Sequence, residues 1–70
     1  MTKMIENLGN RMITLMRVVN IYGLSNNKLA DELNGMTMAL NAMEIEFEFD
    51  YSDDVTEYTA ITIMGKRFEI

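Results

Sequence analysis

The strongest constraint on the fold is a strict alternation of acidic and apolar residues between positions 44 and 51. The acidic positions are Glu44, Glu46, Glu48 and Asp50, and the apolar positions between and after them are Ile45, Phe47, Phe49 and Tyr51. Successive side chains of a β-strand point to opposite faces. A period of two therefore predicts a strand over residues 44–51 with one acidic face and one apolar face that must be covered.

Two segments with a helical period precede this strand. Their apolar residues follow one another at spacings of three and four, which is the pattern of a heptad seam. We predict helices over about residues 3–22 and 25–43. Gly23 is expected to end the first helix in the left-handed conformation, and Ser25 to cap the start of the second. Asn34–Gly35 could end the second helix early, but the apolar spacing favours its continuation.

The remainder of the chain predicts two further strands. A segment rich in Thr and Ile follows the turn-forming residues 52–54, so we expect a strand over about residues 56–63. Met64–Gly65 is a turn signal and leads into a short strand over residues 66–70.

The register of the first hairpin depends on the length of its loop. An odd loop places Ile61 and Ile63 beside Phe47 and Ile45. A two-residue loop would instead set Asp50 opposite Glu57, which repulsion between like charges disfavours. We therefore expect the odd loop.

These elements predict one α+β domain over residues 1–70, a two-helix hairpin packed on a three-stranded antiparallel β-meander. A chain of 70 residues buries only about 60% of the surface of its unfolded form. Without Cys or His, disulfides and most metal sites cannot supplement this core. The sequence therefore predicts a homodimer.

Charge is distributed unevenly along the chain. Residues 1–43 carry a net charge of +1 and residues 44–70 a net charge of −6. The negative charge of the second half repels nucleic acids and membrane headgroups and attracts basic proteins. No segment approaches the roughly 18 apolar residues of a membrane span, and no signal-peptide core is present, so we expect a cytoplasmic protein.

The chain has few residues that could support catalysis. The chain has no His for proton transfer near neutral pH and no Cys nucleophile, and its two Ser residues are explained by a cap and a turn. Asp50, Asp53 and Asp54 could ligate a hard cation, but the spacing of a calcium-binding loop is missing and a turn explains them better. We expect no enzyme, no cofactor and no metal site.

A second pattern is similar to the first half of a repressor-type helix-turn-helix. It comprises Gly23-Leu24-Ser25, Leu29-Ala30 and Leu33-Asn34-Gly35. The recognition segment implied by this resemblance, residues 37–43, contains no Arg or Lys to contact phosphates. Binding of DNA by a degenerate helix-turn-helix is therefore a minor alternative.

The acidic face of the predicted strand is the main functional candidate. Alternate residues of a strand lie about 6.7 Å apart, so its four carboxylates would form a row roughly 20 Å long, spaced like the phosphates of one nucleic-acid strand. Outward charges of this kind also keep an edge strand from pairing with other chains, which is the simpler explanation. The predicted partner-binding residues are Glu44, Glu46, Glu48, Asp50, Asp53, Asp54 and Glu57.

In size, acidity and the segment MEIEFEFDYSDD, the chain resembles small phage-encoded inhibitors that mimic DNA. The resemblance implies a basic bacterial DNA-binding protein as partner, for example a nucleoid-associated protein of the host cytoplasm, with no direct contact to nucleic acid or membrane. It also implies a homodimer that doubles the acidic surface.

The alternative in another class is an adaptor or antitoxin-like module. In that case a Met-rich helical stripe, including Met12 and Met16, would dock into the apolar groove of a partner.

Overall fold

A computed structural model describes residues 2–23 and 28–70 of the chain and shows two helices followed by a three-stranded antiparallel sheet. The predicted α+β fold class is confirmed. The elements are α1 (Thr2–Tyr22), α2 (Lys28–Ala42), β1 (Phe47–Tyr51), β2 (Tyr58–Ile63) and β3 (Lys66–Glu69).

Helix α1 packs on the sheet, where it covers β2 and β3. Its apolar stripe places Met12, Leu15 and Met16 at the centre of the core, where each is fully buried. The helix ends as the sequence predicts. Gly23 adopts a φ of 78°, and its backbone N–H donates a hydrogen bond to the carbonyl of Val19 at 2.8 Å, which is the left-handed capping arrangement. The predicted cap Ser25 lies outside the described residues.

Helix α2 packs on α1 and contributes Leu33 and Leu40 to the core. It continues through Asn34 and Gly35, as the apolar spacing predicts. Gly35 is compatible with this continuation because it lies on the exposed side of the helix and its missing side chain leaves no gap in the core.

The end of α2 corrects the predicted start of the first strand. The N–H of Ile45 bonds to the carbonyl of Leu40 at 2.9 Å, and the N–H of Glu44 bonds to that of Asn41 at 3.1 Å. These two bonds define a Schellman motif, with Glu44 in the left-handed position at a φ of 58°. Residues 44 and 45 therefore belong to the helix cap, and β1 begins at Phe47.

The sheet has the order β1-β2-β3. The apolar residues of β1 pair with apolar residues of β2, as expected, but the register differs by two residues from the predicted one. Ile63 pairs with Phe47, not with Ile45, and Ile61 pairs with Phe49. The difference arises because the connecting loop spans residues 52–57 and the pairing shifts between Asp50 and Tyr51.

The second hairpin is a tight one. Ile63 pairs with Lys66 across the two-residue turn formed by Met64 and Gly65, whose φ values are 50° and 82°. Positive φ at both central residues matches a type I′ turn. The predicted third strand is thereby confirmed, and its register places Arg67 opposite Thr62.

Two contacts fix α1 on the sheet. Gly9 lies against the ring of Phe68, where a Cβ atom would approach the ring Cε atoms to 2.5 Å. At the other end of the helix, the Asn20 side chain donates to the carbonyl of Tyr58 at 2.9 Å and accepts from its N–H at 2.8 Å. The Asn20 amide thus pairs with Tyr58 as a neighbouring strand would.

Candidate functional site

The predicted row of carboxylates is divided into two groups with a neutralised position between them. Glu44, Glu46 and Glu48 line an open groove of about 690 Å³ beside the start of β1. Asp53, Asp54 and Glu57 lie in the loop at the far end of the strand. Asp50, between the two groups, is ion-paired.

The groove is formed where the α2 cap, the start of β1 and the β2–β3 turn meet, and we call it the acidic groove. Its lining residues are Asn41, Glu44, Ile45, Glu46, Phe47, Glu48, Thr62, Met64 and Gly65. All of them lie in the described part of the chain and none is basic. The C-terminal end of α2 adds the partial negative charge of a helix terminus. The acidic groove is therefore a concentrated negative site with an apolar rim at the exposed Met64.

The backbone of each of the three groove glutamates is fixed in a different way. Glu44 is fixed by the α2 cap. The backbone carbonyl of Glu46 accepts from the N–H of Met64 at 2.9 Å, so Glu46 extends the β1–β2 ladder although it precedes the strand. Glu48 lies within β1 opposite Thr62. All three side chains are exposed and line the same groove.

Arg67 neutralises the middle of the acidic face. Its guanidinium donates to Asp50 on β1 and to Glu69 at 2.8 Å. These bonds, to Glu69 first and Asp50 second, raise the pKa of Arg67 above its usual range. To reach β1 the side chain must cross β2, and Ala60, which lies between Asp50 and Glu69 in the register, is fully buried. A small residue at position 60 leaves room for this crossing.

The Asp54 carboxylate is hydrogen-bonded within the loop. It accepts from the hydroxyl of Ser52 at 2.7 Å and from the hydroxyl of Thr56 at 2.8 Å. These hydrogen bonds, that of Ser52 first, lower the pKa of Asp54. The loop is closed further by the N–H of Ser52, which donates to the carbonyl of Glu57 at 2.9 Å. The side chains of Asp53 and Glu57 are exposed beside it.

The inner face of β1 carries an aromatic ladder. The ring centroids of Phe47 and Phe49 are 5.8 Å apart, and those of Phe49 and Tyr58 are 4.9 Å apart. Tyr51 continues the ladder, with its ring centroid 5.3 Å from that of Tyr58. Phe47 and Phe49 pack against the core but are only partly buried, and Tyr51 is 48% exposed.

Arg67 is the residue that sequence reasoning missed. Its position could have been derived from the Met64–Gly65 turn. A two-residue turn pairs Ile63 with Lys66, which places Arg67 beside Thr62 on the acidic face. What the sequence does not indicate is that Arg67 reaches diagonally over Ala60 to Asp50.

The structure does not favour the two alternative binding surfaces, the Met-rich helical stripe and the helix-turn-helix. Met12 and Met16 are fully buried in the core, so these two residues of the helical stripe are not available to a partner. The turn that a helix-turn-helix requires at Asn34–Gly35 is not formed, because α2 is continuous there.

The described residues contain no cluster of three or more His, Cys, Asp or Glu side chains that could hold a metal ion. Neither described helix is long and apolar enough to cross a membrane. Comparison of the chain with protein-family models, curated proteins and solved structures finds no match.

Proposed function

We propose that this protein is a non-catalytic inhibitor that binds a basic DNA-binding protein in place of the phosphates of DNA. The supporting observation is the acidic groove, which holds Glu44, Glu46 and Glu48 on a fixed backbone without a basic lining residue. Glu46 and Glu48 are alternate residues of an extended segment and so lie about 6.7 Å apart, and these carboxylates would contact Lys and Arg side chains that otherwise contact phosphates. The Coulombic attraction that drives DNA binding then favours the protein.

The structure narrows the surface that this function would use. Asp50 is paired with Arg67, and Asp54 is engaged by Ser52 and Thr56. The carboxylates available to a partner are those of the acidic groove, together with Asp53 and Glu57 in the loop. Because these carboxylates form two separate groups, the surface suits a partner whose Lys and Arg side chains also form two groups.

In this proposal the protein acts as a homodimer in the bacterial cytoplasm. A homodimer would double the number of acidic grooves, and the partner class places the protein in the bacterial cytoplasm. The acidic groove is open and its carboxylates are exposed. A solvated site of this kind offers binding and no evident catalytic pair.

The test begins with capture of partners from a nuclease-treated bacterial lysate by the tagged protein. Basic DNA-binding proteins should elute as salt rises, and added DNA fragments should displace them. The Glu46→Gln/Glu48→Gln variant should bind the captured protein about threefold to tenfold more weakly, because two rim charges are lost. A partner that resists high salt and ignores DNA would contradict the proposal.

The matched control compares Asp31→Asn, on the exposed side of α2, with the single variant Glu48→Gln. Each removes one charge, and Glu32 is left in place because it is paired with Arg11. If affinity depends on the acidic groove, Asp31→Asn should bind nearly as the unmodified protein does. An equal loss in both variants would show that net charge alone governs binding. Thermal unfolding followed by circular dichroism checks that both variants fold.

A further inference from the structure

Strand β1 has one side that no other strand of the described residues occupies, because the sheet order places β1 at an edge. We call this side the free edge of β1. The N–H of Met64 bonds to the carbonyl of Glu46, on the side of β1 that faces β2. Backbone bonding alternates along an antiparallel pair. The N–H and C=O groups of Phe47 and Phe49 are therefore directed to the free edge.

The free edge lies between two surfaces of opposite character. On one face are the exposed carboxylates of Glu46 and Glu48. On the other face is the aromatic ladder, which is partly exposed because α1 packs over β2 and β3. A segment that paired with β1 would therefore meet acidic side chains on one face and aromatic rings on the other.

A second copy of β1 does not fit this edge. Any antiparallel register that keeps the aromatic rings on one face sets acidic residues opposite acidic residues. Pairing centred on Phe49, for example, places Glu48 opposite Asp50 of the other copy. Like charges directly opposite each other destabilise a strand pair.

The other sheet edge of a second copy is also a poor partner. Strand β3 offers two cations, and both are already paired within the chain. Lys66 donates to Glu6 at 2.7 Å, and Arg67 is bonded to Asp50 and Glu69. Pairing of β3 with β1 would also be head-to-tail, so it would not close into a dimer.

From these observations we propose that the free edge of β1 binds an extended basic segment of the partner as a fourth strand, in which Lys or Arg alternates with apolar residues. This inference rests on the proposed function and specifies how the partner is held. The cations would lie beside Glu46 and Glu48, and the apolar residues beside Phe47 and Phe49. Backbone hydrogen bonds to the free edge would add affinity that does not depend on charge.

The experiment uses the full chain and two synthetic probes. The first is the capped heptapeptide Lys-Val-Lys-Val-Lys-Val-Lys. The second is the same peptide N-methylated at its Val residues, which keeps the charge but removes the N–H donors that would face β1. Affinities are measured by titration calorimetry, and amide exchange of Phe47 and Phe49 is followed by NMR.

Strand addition predicts that the unmethylated peptide binds at least about tenfold more tightly, since several hydrogen bonds are lost on methylation. It also predicts slower amide exchange at Phe47 and Phe49 when that peptide is bound. Equal affinities without slower exchange would overturn the proposal. Protection of these two amides that rises with protein concentration in the absence of peptide would also overturn it, because a second copy would then occupy the edge.

The Glu46→Gln/Glu48→Gln variant separates this inference from the proposed function. If the variant binds both peptides more weakly but the two peptides bind alike, the acidic groove attracts cations and strand addition is wrong. If the variant binds both peptides as the unmodified protein does, the proposed function itself fails.

Discussion

Asp50 on β1 accepts a hydrogen bond from Arg67 on β3, although a complete strand lies between them. The pair divides the acidic face into the acidic groove on one side and the carboxylates of the loop on the other. The charge available to a partner therefore depends on Arg67 as much as on the acidic residues.

Replacing Arg67 with Gln should increase affinity for a basic partner. The substitution frees Asp50 and Glu69 and makes the outer face of the sheet more negative. Affinity for the Lys-Val heptapeptide should rise by about twofold to fivefold at low salt, and the gain should shrink as salt is added. Since the ion pairs are exposed, the loss of stability should be small.

The control for this variant is Arg11→Gln. It removes a cation of the same type, one that pairs with Glu32 across the two helices and lies away from the sheet. Both variants carry the same net charge. An equal gain in the two would assign the effect to net charge and not to release of Asp50.

Two glycines of the helices should respond in opposite ways to substitution by Ala. Gly9→Ala should destabilise the protein by about 1–2 kcal/mol, because the added methyl group overlaps the buried ring of Phe68 and this cost exceeds the gain in helix propensity. Gly35→Ala has nothing within 4 Å of the new atom and should stabilise by about 0.5–1 kcal/mol. Urea unfolding of the two variants measures both values.

Repeating Gly9→Ala in a Phe68→Leu variant tests whether the Phe68 ring causes the predicted destabilisation. The smaller side chain leaves space for the methyl group, so Gly9→Ala should cost less there than in the unmodified protein. The same cost in both backgrounds would show that Phe68 is not responsible.

The sequence predicted those features that depend on local periodicity. Heptad spacing located both helices, and the period of two identified the acidic and aromatic faces of β1. It did not predict that residues 44 and 45 close the end of α2, because their alternation continues that of the strand. The packing of Ile45 against the core favours the cap.

The arrangement of the candidate site depends on contacts between distant residues. Asp50 and Asp54 have the same chemistry as the other predicted site residues, but Arg67 engages one and the Ser52 and Thr56 hydroxyls engage the other. Strand register and loop geometry determine which carboxylates have a hydrogen-bonding partner within the chain. The alternation of acidic and apolar residues could not distinguish these carboxylates from those that remain available to another protein.

The loop carboxylate of Asp54 should contribute a pH-dependent part of the stability. Its hydrogen bonds lower its pKa below the ordinary value of 3.8. A lowered pKa in the folded state stabilises the protein above pH 3.8, and this contribution is lost as the pH falls through the lowered pKa. The difference in unfolding free energy between the protein and Asp54→Asn should therefore be largest above pH 4 and shrink under stronger acid.

Ser52→Ala provides the control for that titration. It removes the largest cause of the shift, so the pKa of Asp54 should move back toward its ordinary value. NMR titration of the Asp54 carboxyl carbon reports this directly. If the pKa is the same in both proteins, the Ser52 hydroxyl does not hold the carboxylate.

Glu44 contributes both to the cap of α2 and to the charge of the acidic groove, and two substitutions separate these contributions. Its φ of 58° is costly for a residue with a side chain, so Glu44→Gly should be more stable than Glu44→Ala by about 1 kcal/mol. Both variants lose the same charge from the acidic groove. They should therefore bind the Lys-Val heptapeptide with the same reduced affinity, whereas their melting temperatures should differ by roughly 4–8 °C. If binding followed stability and not charge, Glu44 would act only as a cap of α2, and the groove would rely on Glu46 and Glu48.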